Sequence, residues 1–211
     1  MDAFSDEGGE GAVVSLFGPR EAIMSAAADL FDKVGYHNAS LASIAEQAGT
    51  TKAAVLEIFR VKHDILYAIH DAWIDDLLEM ARQHLRPDHP VCDAIRICFR
   101  DVLALVSSRP NQVRIYFQYY RDLPPDLQKM AKAKRDMYEA QVEGLIRRGI
   151  ETGVFRTQNA RVATLGLFGM CNWTYQWFRP DSPSSSEQVA DQLSDIYLRG
   201  LCADPGEAGE H

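Results

Sequence analysis

The sequence holds no run of apolar residues near the ~18 that a membrane-spanning helix needs, no glycine-rich phosphate loop and no G-x-S-x-G nucleophile turn. Metal-ligand spacing is missing as well: His63 and His70 stand seven apart and His84 and His89 five apart, with no carboxylate pair to complete a site. The four cysteines, Cys92, Cys98, Cys171 and Cys202, form no C-x-x-C pair, and no basic cluster flanks them to lower a thiol pKa, so they read as inert reduced thiols. These gaps argue against a catalytic protein and leave no cofactor to expect. The opening residues carry Asp2, Asp6, Glu7 and Glu10, opposite in sign to a signal peptide, and Val13 to Phe17 is too short for its apolar core. A cytoplasmic location is expected.

A net charge of −8 speaks against wholesale attraction to nucleic acid. Net charge governs solubility and long-range steering, whereas a DNA reader needs positive charge only on its contact face. Between Thr50 and His63 there are Lys52, Arg60 and Lys62 against the single acid Glu57, so this stretch is locally basic.

Residues 1–18, rich in Gly, Asp and Glu, read as a disordered arm, and 204–211 as a disordered tail. Between them every periodic segment has helical spacing, and no alternating strand pattern or internal repeat stands out. Pro19 suits a first helical turn, and Ile23, Ala27, Leu30 and Val34 continue a stripe to Gly35. Ser40 is placed to cap a short helix, and Thr50 or Thr51 another on which Val55, Ile58 and Phe59 face inward. Longer helices are expected over 62–85, 91–107, 126–151, 159–178 and 185–201, with a short aromatic one over 111–121. The fold class is all-α. An N-terminal three-helix domain (19–66) precedes a larger helical bundle (67–203).

Two short helices crossing at a tight turn need a small residue at the crossing, a glycine in the turn and apolar residues beyond it. Ala45, Gly49, Val55 and Ile58 meet that pattern, with Leu41 and Ile44 completing a small core. Spacing alone also suits an ordinary helical hairpin. The chemistry favours a helix-turn-helix, because Thr51 and Lys52 stand at the start of the second helix and Lys62 opens the following one. Such groups position a protein on the phosphate backbone without reading sequence.

Phe17 to Ile69 resembles the DNA-binding domain of the TetR family. The stretch "REAIMSAAADLFDKVGYHNASLASIAEQAG" is similar to its first two helices, and "TTKAAVLEIFRVKHDIL" to its recognition helix and the start of the fourth. Further on, "LIRRGIETGVFR" is similar to the turn between its seventh and eighth helices. The resemblance implies that Ser40, Thr51, Lys52 and Lys62 contact phosphates while Ala53 and Ala54 approach base edges. The chain departs from the family at Leu56, where an aromatic residue is usual, and at Ile58, where His is frequent. Base-reading groups are therefore few, chiefly Thr50, Thr51 and Lys52, although alanine can still touch a thymine methyl.

Helix-turn-helix dimers read two half-sites of a palindromic operator in double-stranded DNA, and the resemblance implies a homodimer formed by the last two helices. Residues 159–178 are apolar on nearly every side, so both faces must be covered. Gly166, Gly169, Met170, Trp173 and Trp177, with Val162, are assigned to the partner, because small residues allow close approach. Phe168, Asn172 and Tyr175, with Thr164, Cys171 and Phe178, face the subunit core.

The aromatics Phe99, Tyr116 and Tyr120 read either as packed core or, with Phe168, Asn172 and Tyr175, as the lining of a pocket for a small hydrophobic effector. Gln118 and Arg121 are further polar candidates. The segment "GMCNWTYQWFRPD" resembles TetR relatives that respond to acyl-CoA thioesters, whose phosphates would need cations such as Arg114, Arg121, Arg147 or Arg148. Two functions stand: a ligand-responsive repressor, or a binder that kept the fold with weak or lost sequence-specific DNA binding, which only Leu56 favours.

Overall fold

Most helices begin where a side chain or a proline answers the unpaired N–H groups of a first turn. The computed structural model describes residues 18–86, 88–156 and 159–202, so all of the expected arm at 1–18 but Gly18, the expected tail at 204–211, and residues 87, 157, 158 and 203 lie outside the described residues. Pro19 opens α1 (Pro19–Val34). The Ser40 hydroxyl accepts from the Ser43 N–H to cap α2 (Leu41–Gln47), and Thr51 Oγ1 accepts from the Ala54 N–H at 3.1 Å to cap α3 (Lys52–Ile58). Asp64 reaches back to the N–H groups of Arg60 and Val61 at the start of α4 (Lys62–His84).

Next come α5 (Val91–Ser108) and α6 (Pro110–Gln118), with Arg109 between them. The expected helix over 111–121 stops at Gln118; Tyr120–Asp122 tightens into a 3-10 turn that delivers the chain to α7 (Pro125–Glu151). Asn159 caps α8 (Ala160–Trp177), and Ser185 with Gln188 forms a capping box on α9 (Ser186–Leu201). These nine α-helices and the 3-10 turn account for the regular structure of the described residues, apart from one isolated antiparallel bridge between Phe155 and Cys202. Among the described residues no helix is long and apolar enough to cross a membrane.

The apolar side chains gather into two cores. Ile23, Phe31, Ile44, Val55, Ile65 and Ile69 centre one, formed by the first three helices and the start of α4. Leu77, Phe99, Leu103, Val142, Leu167 and Leu198 centre the other. Helix α4 threads both, contributing Ile65 to Ile69 to the first and Trp73 to Ala81 to the second.

The division is not clean, because α6 sends fully buried Ile115 into the N-terminal core, where Leu123 joins it. Burying such a side chain is worth roughly 1.5–3 kcal/mol. Two polar links hold α6 against α1: Arg114 to Asp32 at 2.6 Å and Asn111 to Asp29 at 2.6 Å.

After α7 the backbone turns at Gly153, whose φ of +72° favours glycine. Phe155 then lays its ring on Gly149 so closely that a Cβ there would sit 2.2 Å from a ring carbon. This contact fixes how α7 hands the chain towards α8.

Candidate DNA-reading face and effector cleft

The crossing of α2 and α3 is built as the spacing requires. Ala45 is buried, Gly49 takes φ +64°, and the Thr50 N–H reaches back to the Ala45 carbonyl at 2.9 Å. Val55 and Phe59 are buried and lock α3 down, but Ile58 is 39% exposed and faces away from the core. The expectation that Ile58 packs inward is corrected: at helical spacing Val55 and Phe59, four apart, define the buried side.

The outer side of α3 carries exposed Thr51, Lys52, Ala53, Leu56 and Glu57, with half-buried Thr50 and Ala54 at its edge. Leu56 is 41% exposed, an apolar side chain on an otherwise small and polar face. Thr51 accepts from its own helix and keeps its O–H free to donate, whereas the Ser40 hydroxyl also meets Ser43 Oγ at 2.9 Å inside the capping box.

Lys62 is placed differently from the expectation. Its ammonium donates to the carbonyls of Tyr36, His37 and Ala39 at 2.6, 3.1 and 2.8 Å, using its three hydrogens within the N-terminal domain. We therefore correct its role from phosphate partner to a clasp on the turn between α1 and α2. Lys52 remains the exposed cation of the α3 face.

In the second domain a cleft of about 570 Å³ opens between α6, α7 and α8. Tyr116 and Phe117 line it from α6, Tyr120 from the following turn, Arg135 and Glu139 from α7, and Leu165, Phe168, Gly169, Asn172, Trp173 and Tyr175 from α8. Phe117 stacks on Tyr175 at 4.7 Å, and a recess of about 30 Å³ runs inward to Trp73, Ile74 and Leu77 of α4. Burial pushes the Tyr116 phenol up to about 12, so it stays a neutral donor at ordinary pH.

Five of the six expected pocket residues thus meet on one wall. Phe99 does not: fully buried, it packs 5.6 Å from the Tyr197 ring inside the α5–α9 core, which corrects its assignment. Arg135 and Glu139 escaped the sequence reading; their only signal was their spacing around Tyr138 on one face of α7. Gln118 and Arg121 lie off the wall.

The α8 face assigned to a partner is open. Val162, Leu165, Trp173 and Trp177 are among the most exposed large apolar side chains, flanked by exposed Gly166 and Gly169 and half-buried Met170. Thr164, Cys171 and Phe178 are buried on the opposite side. Cys92 and Cys202, far apart in sequence, bring their sulfurs to 3.9 Å, and burial pushes the Cys92 thiol up to about 11, against the thiolate that oxidation requires.

A helix-turn-helix head on an all-helical bundle is the architecture of a DNA-binding transcriptional regulator. The chain belongs to the TetR family of DNA-binding transcriptional regulators. Residues 23–69 match the family described as bacterial regulatory proteins, tetR family, and 88–201 match the tetracyclin repressor-like C-terminal domain. Among solved structures it is similar to the TetR-family regulator PfmR of Thermus thermophilus, 31% identical over 86% of this chain and 99% of that one, TM-score 0.79. It is also similar to AibR in complex with isovaleryl coenzyme A and operator DNA, 25% identical over 85% and 97%, TM-score 0.75. A curated relative, the HTH-type transcriptional activator FasR of Mycolicibacterium smegmatis, is 22% identical over 86% of this chain and 82% of its own length.

Proposed function

We propose that the protein is a homodimeric, ligand-responsive repressor that leaves a palindromic operator when a small hydrophobic effector fills the cleft. The observation that carries the reading is a pair of consecutive residues. Ile115 is fully buried in the core of the reading head, while Tyr116 lines the cleft. An occupant that moves α6 moves the reading head with it, and the recess lets the same occupant touch α4. Ligand and DNA then weaken each other by the same factor. AibR, whose complex holds isovaleryl coenzyme A and operator DNA, is a similar chain that binds both a small-molecule ligand and DNA. Repression is the proposed sign, although the relative FasR is an activator.

The arrangement of the dimer is read from α8: its open face of small and large apolar residues suits a second copy of itself, and because Leu165, Gly169 and Trp173 of that face also line the cleft, the partner would close the cleft's mouth. A reading with weak or lost sequence preference is favoured only by exposed Leu56. Fluorescence anisotropy separates the two, using a duplex from upstream of the protein's own gene against a scrambled duplex. Preferential binding to the first supports the regulator, and equally weak binding to both supports the degenerate binder.

A further inference from the structure

The cleft is apolar and aromatic except for one charged corner. Arg135 stands there half-buried, 5.4 Å above the Tyr120 ring. Glu139 pairs with Arg135 at 3.7 Å through one oxygen and with Arg161 at 2.9 Å through the other, so two cations share one carboxylate and the corner keeps a net positive charge. Tyr120 donates its hydroxyl to the Gln128 carbonyl and is not available to a ligand. On the same wall from α8, the Asn172 amide has no hydrogen-bond partner among the described residues. A planar cationic fork beside an unengaged amide, at the mouth of an aromatic cavity, matches a carboxylate attached to an apolar body.

We infer that the effector is an amphipathic carboxylate, an alkyl or aryl-alkyl acid bound as its free anion. Its carboxylate meets Arg135 and Asn172, and its apolar chain lies along the aromatic side chains of the 570 Å³ cleft. This inference rests on the cleft being the effector site. A thioester offers its neutral carbonyl where the free acid offers an anion, and the arginines that the sequence suggested for its phosphates are engaged elsewhere or lie off the cleft wall. Arg114 is held by Asp32, Arg147 by Glu143, and Arg148 donates to the His89 carbonyl; none of them, nor Arg121, is on the cleft wall.

Isothermal titration calorimetry of the full chain with decanoate, decanol and decanoyl-CoA tests this. Decanoate is expected to bind at least tenfold tighter than the other two. Arg135→Gln should weaken decanoate about ten- to a hundredfold, the range of one charge-assisted hydrogen-bonded contact, while leaving decanol unchanged. If Arg135→Gln loses decanol too, Arg135→Lys decides, because a retained cation must keep acid preferred over alcohol. Decanol matching decanoate, a thioester tighter than the acid, or Arg135→Gln binding decanoate like wild type would overturn the inference and leave the cleft standing. No binding by any of the three would remove the cleft as effector site and the inference with it.

Discussion

The Lys62 ammonium lies 4.5 Å from the centroid of the Tyr36 ring and donates a 2.6 Å hydrogen bond to the Tyr36 carbonyl. With the carbonyls of His37 and Ala39 it ties the first turn of α4 to the end of α1, so Lys62 belongs to the scaffold of the reading head. Lys62→Ala should lower stability by about 1–3 kcal/mol, because three carbonyls lose a charged donor. Lys52→Ala, at an exposed position, should stay within about 0.5 kcal/mol of wild type. Chemical denaturation of the two variants checks this, and a Lys62→Ala protein as stable as wild type would refute the clasp.

His70 lies fully buried on α4 between the two cores, 4.8 Å from the Tyr116 ring, and neither ring nitrogen has a hydrogen-bond partner among the described residues. Burial, with Arg135 nearby, lowers its pKa from 6.5 to about 4. The unfolded chain therefore takes up a proton that the native state refuses. The stability linked to this group is fully present above pH 6.5 and is lost as pH falls towards 4, on the order of 3 kcal/mol in all. His70→Phe should flatten the stability profile across that window. Identical slopes for variant and wild type would sink the assignment.

The exposed face of α8 makes a separate prediction about assembly. A Cβ at Gly169 meets nothing within 4 Å, and one at Gly166 meets only Tyr197 at 3.9 Å, so the subunit itself tolerates a side chain at either place. Gly166→Arg or Gly169→Arg should keep the helical fold and shift the protein towards monomer, since the new charge would be trapped in a packed interface. Light scattering at micromolar concentration reads the result. A wild-type monomer would end the dimer claim, and a Gly169→Arg protein that stays dimeric would move the interface elsewhere.

Local chemistry made most of the fold legible. Ser40 and Thr51 cap helices as their side chains suggested, and the helices expected from 159 and 185 begin within a residue of those positions, because capping is decided by neighbours in sequence. The outward glycine face of α8 was equally readable from its wheel. What the sequence concealed depends on packing across long separations. Phe99 looks like any other aromatic until α9 covers it, and Lys62 like any surface cation until the turn at Tyr36 folds beneath it. Arg135 reaches the cleft only because α7 packs against α8, an arrangement no periodicity encodes.

The central claim is that the outer side of α3 docks on DNA with Lys52 on a phosphate, and a salt series tests it most directly. Affinities of wild type, Lys52→Ala, Ala54→Ser and Leu56→Tyr are measured on the upstream duplex and on a scrambled one. Lys52→Ala should weaken both and flatten the slope of log affinity against log salt by about one. Ala54→Ser should change the preference between duplexes with the slope nearly unchanged. Leu56→Tyr should strengthen binding to both, by ~1 kcal/mol for one added hydrogen bond to phosphate. A Lys52→Ala protein with wild-type affinity and slope on both duplexes would contradict the docking of α3 and the regulatory function built on it.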